Sequence, residues 1–279
     1  MMAPQPQQRT LFAETLDVEA FGARLIKTKD LDPAYVGLVG AELPRPQLAR
    51  WLLCYWSFYH VGLASWISEQ EDFWPVMAKA AANLPERSPR VLGLPTERWP
   101  RGSERRHFRG PKCVAAVAWL GRNFPQPQDC LERLAAAKTA EQVMAIVQGW
   151  PMMGPWAAFK AADMVERVVG APIRFPANTC LLYAEPLAGL KLAAQRAGVE
   201  NLQRYHDRLL DYFHRFPAPP TGDRPCGPQE LETVCCKHKS YIGGHYHVGR
   251  DIREQRAALV GWGETAQRIL GAYPPVVCF

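Results

Sequence analysis

Apolar residues recur three or four positions apart along almost the whole chain. Leu48, Trp51, Leu52, Tyr55, Phe58 and Tyr59 form one such stripe, and Leu202, Tyr205, Leu209, Tyr212 and Phe216 form another. That spacing places side chains on one face of an α-helix. Sustained alternation at period two, the mark of a half-buried strand, is absent. Proline-rich breaks at 83–100, 124–128, 172–176 and 217–228 divide the pattern into helical blocks. The pattern predicts an all-α fold without internal repeats. The most apolar run, Trp51 to Ile67, is interrupted by Ser57, His60, Gly62 and Ser65 and falls short of the roughly 20 residues that cross a bilayer. It predicts a buried aromatic helix rather than a membrane span.

The most informative block is 139–172, TAEQVMAIVQGWPMMGPWAAFKAADMVERVVGAP. It reads as two helices joined by a tight hairpin. Thr139 and Gln142 have capping-box spacing for the first helix, and Gly154-Pro155 supplies an N-cap and a first-turn proline for the second. Gly170 and Pro172 stop that second helix. Free N–H groups at the start of a helix, aided by its dipole, make a small anion site suited to a phosphate. Met153, Gly154, Trp156 and Lys160 are the expected DNA contacts. A two-helix corner of any all-α protein can also carry Gly-Pro.

Composition adds bounds rather than a function. At 279 residues and 48% hydrophobic, the chain can bury a sizeable core as one large domain or two intimate ones. A formal charge of +6 and a pI near 8.9 fit a polyanionic partner, yet also suit a protein without one. The first residues, MMAPQPQQRT, lack a charged-then-apolar leader, and eight cysteines are too sparse for a disulfide scaffold. A reducing cytoplasm is expected, with no membrane partner.

Two further runs carry candidate chemistry. Trp99 to Lys112, WPRGSERRHFRGPK, packs Arg101, Arg105, Arg106, His107, Arg109 and Lys112 into a short Gly/Pro-bounded segment, with Trp99 and Phe108 as planar surfaces among them. Arginine forks bind phosphate oxygens bidentately, although a solvated basic loop has the same composition. Glu232 to Asp251, ETVCCKHKSYIGGHYHVGRD, crowds Lys237, Lys239, His245, His247 and several cysteines around Gly243-Gly244. Cys235 and His238, with His245 and His247 or Cys226, follow no recognised zinc spacing, so no metal is assigned. Asp251 and Glu254 have capping-box spacing for the last helix.

The words PMMGPW followed by a helix resemble the helix-hairpin-helix of the DNA glycosylase superfamily, with Met152 in the place of its first glycine. That resemblance implies one glycosylase-like unit over 1–279 with a DNA cleft between two helical lobes. About 100–216 would form the central lobe around the hairpin at 139–170, and about 11–99 plus 229–279 the second lobe. The segment 217–228 would return the chain to that second lobe. The superfamily's catalytic Asp falls at Asn178, which is also a natural N-cap for a helix from Thr179. Its lysine nucleophile falls at Trp156. Lys160, one turn further on, shares a face with Asp163 and Arg167 and reads first as a solvated salt-bridge stripe.

Taken together, PRGSERRHFRG, PMMGPWAAFKAADMVERV and CKHKSYIGGHYHVGRDI resemble the α-glutamyl/putrescinyl thymine pyrophosphorylases, or amino acid:DNA transferases, of thymine-hypermodifying phages. The resemblance spans about 45–260. It implies replacement of the pyrophosphate of 5-(pyrophosphomethyl)uracil in DNA by an amine or amino acid. Such chemistry needs cations on the leaving pyrophosphate, an acceptor for the amine's proton and a pocket for an extruded base. Arg101, Arg105, Arg106, Arg109, Lys237 and Lys239 are candidates for the first task. His107, His245 and Asp251 are candidates for the second, with Asn178 beside the base. A cysteine adding to the pyrimidine, Cys235, Cys236 or Cys180, is a covalent alternative. No cofactor is required, and Mg²⁺ is allowed as a pyrophosphate counter-ion. A base-excising glycosylase and a non-catalytic DNA-binding protein remain as readings from other classes.

Overall fold

The structure, a computed structural model, describes residues 15–83 and 99–276. Most of the expected break at 83–100, and the amino-terminal segment, lie outside the described residues. The regular structure is helical: α1 (Val18–Thr28), α2 (Pro33–Ala41), α3 (Arg45–Phe58), α4 (Val61–Ser68), α5 (Phe73–Ala82), α6 (Pro111–Asn123), α7 (Pro127–Ala135), α8 (Ala140–Gln148), α9 (Pro155–Arg167), α10 (Thr179–Leu182), α11 (Ala184–Arg196), α12 (Leu202–Phe213), α13 (Pro228–Ile242), α14 (Arg250–Leu259) and α15 (Glu264–Ala272). Two isolated bridges, Thr139 to Arg174 and Pro217 to Pro225, are the only β-type pairings among the described residues. The fold is all-α.

Local chemistry explains several boundaries. Asp17 accepts the Ala20 N–H at 2.7 Å to open α1, and Asn201 accepts the Arg204 N–H at 2.9 Å to open α12. Thr139 accepts from Gln142 at 3.4 Å, while the Gln142 amide oxygen takes the Lys138 N–H at 2.8 Å, so the predicted capping box closes one residue early. Trp51–Ile67 forms parts of two helices rather than one. Tyr59 turns left-handed at φ 51° to end α3, and the His60 ring nitrogen accepts the Leu63 N–H at 3.0 Å to open α4. No described helix is long and apolar enough to cross a membrane. The expected Asp251–Glu254 capping box does not form. Gly249 is the N-cap of α14, Glu254 pairs with Arg250 at 2.7 Å, and α15 follows.

The buried apolar side chains form two clusters. The larger unites α2–α9 with α14 and α15 through Trp51, Trp56, Phe58, Phe108, Met164 and Ile269. The smaller unites α1 with α11–α13 through Phe21, Leu25, Leu190, Leu209, Phe213 and Val234. These clusters cross the expected lobe boundaries. Helices α3–α5 share the larger cluster with the hairpin helices α8 and α9, and α11 and α12 belong to the smaller one. Gly189 makes the closest approach there, since a Cβ would lie 2.0 Å from the Cys235 carbonyl oxygen. A larger residue would force α11 off α13.

Charged groups fill the seam between the clusters. The Arg167 guanidinium lies 2.6 Å from Asp32, 3.1 Å from Glu230 and 3.5 Å from Asp163, with its side chain 1% exposed. It also donates to the Pro219 carbonyl at 2.8 and 3.0 Å. Arg224 bridges Glu166 at 2.6 Å and Glu230 at 2.9 Å. Ions at such a seam are tolerated only when paired and hydrogen-bonded, which ties α9 of the larger core to α2, α13 and the 217–228 segment.

Candidate active site at the seam between two helical cores

The hairpin joining α8 to α9 makes its turn without a glycine at its first position. Met152 adopts φ 64°, a left-handed conformation that glycine takes freely. Gly154 is exposed at the N-cap, Pro155 holds the first helical position, and the first bond back into α9 runs from the Ala158 N–H to the Gly154 carbonyl at 3.0 Å. The N–H groups of Gly154, Trp156 and Ala157 therefore precede the helical ladder and have no intrahelical partner, the arrangement that favours an anion at a helix start. Met153 departs from its expected role. Its side chain is 5% exposed and its N–H bonds the Trp150 carbonyl at 3.2 Å, so it anchors the turn from inside. Trp156 is half-buried and packs edge-on against Tyr59, with ring centroids 4.8 Å apart.

The basic run divides into inner and outer arginines. Arg101 gives its donors to the carbonyls of Phe108, Trp99, Pro100 and Ala80, and stacks 4.4 Å over Phe58. Arg105 is 3% exposed and donates to the carbonyls of Ser57 and Met152. Neither guanidinium is available to a pyrophosphate, which corrects the expectation from sequence. Phe108 and Trp99 are also buried, so neither offers a stacking face. Arg106, His107, Arg109 and Lys112 are exposed. Partial burial and the neighbouring Arg105 and Arg106 hold the His107 imidazole below its usual range, hence neutral at pH 7.

Below the hairpin, on the same helix, lies the charged seam. Lys160 sits 3.6 Å from Asp32 and 3.7 Å from Asp163, with its side chain 11% exposed. Burial alone would depress its ammonium, but Asp32, Asp163 and Glu232 outweigh that and raise it. Tyr35 donates to Asp163 at 2.7 Å. From α13, Glu232 reaches the seam, where among the described residues the neighbouring Thr233 hydroxyl alone donates to it, at 3.2 Å. Among the described residues it has no ion-pair partner within bonding distance. Burial pushes the Glu232 carboxyl up to about 7, with Asp163 and Asp32 adding to the rise and Lys160 opposing it. Cys236, one turn on, is half-buried, and burial with Glu232 pushes its thiol up to about 11. It remains a thiol at neutral pH.

The remaining candidates fall outside this cluster or are already engaged within it. Lys237 gives its ammonium to Asp251 at 2.6 Å, the Asp30 carbonyl at 2.7 Å and Tyr246 at 3.2 Å. Asp251 is thus half of an ion pair beside the seam. Lys239 makes an exposed pair with Glu185 at 2.6 Å, and His245 is exposed on the loop after α13. Cys180, Cys235 and His238 are buried in the smaller core. Among the described residues no three His, Cys, Asp or Glu side chains converge as metal ligands. Asn178 is exposed and makes no capping bond, because α10 is only four residues long and Asn178 itself sits at φ −87°, ψ 16°. Asn178→Ala is accordingly expected to change stability by less than about 0.5 kcal/mol in chemical denaturation. A loss near 1 kcal/mol would restore the cap.

The family described as amino acid:DNA transferase matches residues 16–247, which include the hairpin, the basic run and most of the seam. The chain belongs to the amino acid:DNA transferase family. A glycinyltransferase of Pseudomonas phage PaMx11 is 38% identical over 291 aligned positions, covering 94% of this chain and 98% of that protein. A putrescinyltransferase of Delftia phage PhiW-14 is 30% identical over 268 positions, covering 90% and 81%. The protein is a DNA-modifying transferase.

For an amino acid:DNA transferase, the seam supplies groups that the sequence pattern does not single out. The pattern gives no role to Asp32, Tyr35 or Glu232, and it places Lys160 on a solvated, DNA-facing stripe. The signal is present but ambiguous. Lys160, Asp163 and Arg167 share one helical face, yet the same spacing serves a surface stripe and a buried network. The groups that meet this face, Asp32, Tyr35, the Pro219 carbonyl and Glu230, decide between them. Asp251 lies four residues past the matched region, so its pairing with Lys237 joins the family segment to α14.

Proposed function

We propose that the transferase joins a primary amine or amino acid to the exocyclic methylene of pyrophosphorylated 5-hydroxymethyluracil in DNA, at the seam beneath the hairpin. The amine nitrogen forms a bond to that carbon as the carbon–oxygen bond breaks. Pyrophosphate leaves with the bonding electrons, and Glu232 takes the proton released by the nitrogen. Glu232 carries this reading: it is a buried carboxyl with no ion-pair partner among the described residues, pushed up to about 7 on the seam. A group in that state accepts a proton at working pH better than one held firmly ionised. Arg106 and Arg109, exposed on the basic run, are the cations proposed for phosphate. A bound Mg²⁺ would add a counter-charge on the leaving group.

Glycine is the first co-substrate to test, because the 38% identical relative carries that name, with putrescine second. Incubation of DNA bearing the pyrophosphorylated base with either amine should yield pyrophosphate and a heavier nucleoside by mass spectrometry. Free base or abasic sites would instead favour a glycosylase. That reading is disfavoured by the amide at Asn178 and the indole at Trp156, neither of which can serve as a carboxylate or a Schiff-base amine.

Gly154 carries the proposed DNA grip. A Cβ there would meet no atom within 4 Å, and its φ of −85° suits any residue. The fold therefore does not require glycine at this position. Asp is a better N-cap than glycine, so Gly154→Asp should keep or slightly raise the melting temperature. Its carboxylate would meet a phosphate head-on, and duplex affinity should fall by at least about tenfold in a binding titration at fixed salt. Unchanged affinity would move DNA away from the hairpin.

A further inference from the structure

By sequence the basic run and the hairpin are two separate phosphate-seeking elements, yet one buried side chain joins them. Arg105 donates from Nε to the Ser57 carbonyl at 3.0 Å, from Nη1 to the Met152 carbonyl at 3.1 Å, and from Nη2 towards the Met153 sulfur at 3.7 Å. Its guanidinium lies 4.6 Å over the Phe108 ring. Ser57 is in the last turn of α3, where a carbonyl lacks a helical partner and a cation is favoured by the dipole. The fork is thus braced on α3 and reaches the hairpin from behind. Gly102 lets the segment sit there, since a Cβ would fall 2.4 Å from the Tyr59 carbonyl oxygen.

We propose that Arg105 is a positioning residue for DNA binding, holding a hairpin turn that lacks its usual glycine in the shape that presents the Gly154, Trp156 and Ala157 N–H groups to a phosphate. Met152 is left-handed at φ 64°, a strained state for a side chain with a Cβ that persists only when its surroundings over-determine it. The Met152 carbonyl and the Met153 N–H share one peptide plane. Arg105 holds the carbonyl end and the Trp150 carbonyl holds the N–H end at 3.2 Å, so the plane cannot turn over. A lysine offers no such fork, because its compact ammonium lacks the planar, fixed geometry with which the guanidinium addresses the Ser57 and Met152 carbonyls together. The charge of Arg105 is therefore spent on shape, while Arg106 and Arg109 face outward.

The inference rests on the hairpin as the DNA grip, and the test separates the two. Affinity of the full chain for an unmodified duplex is measured at fixed salt, together with melting temperature. Arg105→Ala is expected to bind about tenfold more weakly. Met152→Gly added to Arg105→Ala is expected to recover most of that loss, because glycine reaches φ near 64° without the penalty that a Cβ imposes. The melting temperature of the double variant stays below wild type, since the Ser57 carbonyl is still unpaired. Undiminished affinity in Arg105→Ala, or a loss that Met152→Gly does not relieve, overturns the proposal. If Arg105→Ala does not fold, Arg105→Lys is compared with and without Met152→Gly under the same criteria. Should Gly154→Asp bind normally, the hairpin reading itself fails; should Gly154→Asp weaken binding while Arg105→Ala does not, only the brace fails.

Discussion

Glu232→Gln is expected to lower the rate of transfer by about 10²- to 10⁴-fold, the usual worth of a positioned general base. The amide matches the carboxylate in size and carries no charge to desolvate, so the variant should melt at or above the wild-type temperature at about pH 8. That contrast separates chemistry from folding. A Glu232→Gln protein that melts like wild type and transfers at the wild-type rate would remove Glu232 from the reaction. Attention would then turn to His107, which is neutral and exposed beside the outer arginines.

The pH dependence follows with a definite sign. The acceptor must be ionised, so transfer should climb through the acid range and level off above about 7, where Glu232 loses its proton. Lys160 favours the ionised form of Glu232, while burial, Asp163 and Asp32 oppose it. Lys160→Met should therefore move the midpoint upward, and a downward or unchanged midpoint would uncouple the two groups. Stability runs the other way. The folded carboxyl holds its proton above the ordinary 4.5, so its contribution is fully present below that value and lost as pH rises towards about 7. Glu232→Gln should abolish that part of the slope.

The helices are legible in the sequence because their signals are local. Apolar periodicity, Thr139 as a cap and the Gly154-Pro155 start of α9 all act within a few residues of themselves. The family is legible from three short runs. The division into cores is not, because it depends on which faces meet after the 217–228 connection, and a stripe of apolar residues does not name its partner. The arginine run misleads for a related reason. Arg101 and Arg106 look alike in sequence, but the first meets carbonyls left over at the ends of neighbouring elements and the second meets solvent. Glu232 stands inside a run that draws notice for its cysteines and histidines. Its distinction is the lack of a cation partner among the described residues, which no spacing displays.

Arg167→Ala is expected to be the most destabilising single change at the seam, costing about 3–5 kcal/mol because it strands buried carboxylates rather than merely deleting a contact. Asp163 is fully buried and would keep Lys160 and the Tyr35 hydroxyl, while Asp32 and Glu230 would lose their short bonds to the guanidinium. The Pro219 carbonyl would lose two donors as well. Burial already raises the Asp163 carboxyl, and Arg167 is the charge that opposes this rise most strongly, so its removal would push the carboxyl further. Protonation then relieves part of the damage, so the destabilisation should be largest near about pH 8 and shrink towards about pH 5. Chemical denaturation at both values measures it, and the melting temperature should fall by roughly 10 °C at the higher pH. Arg167→Met, which keeps most of the volume, should be nearly as costly, since charge pairing and not packing is what the seam loses. A cost below about 1 kcal/mol with no dependence on pH would mean that water reaches Asp163. In that case the seam would solvate its carboxylates, Glu232 would sit near its ordinary value, and the proton acceptor for the amine would have to be sought elsewhere.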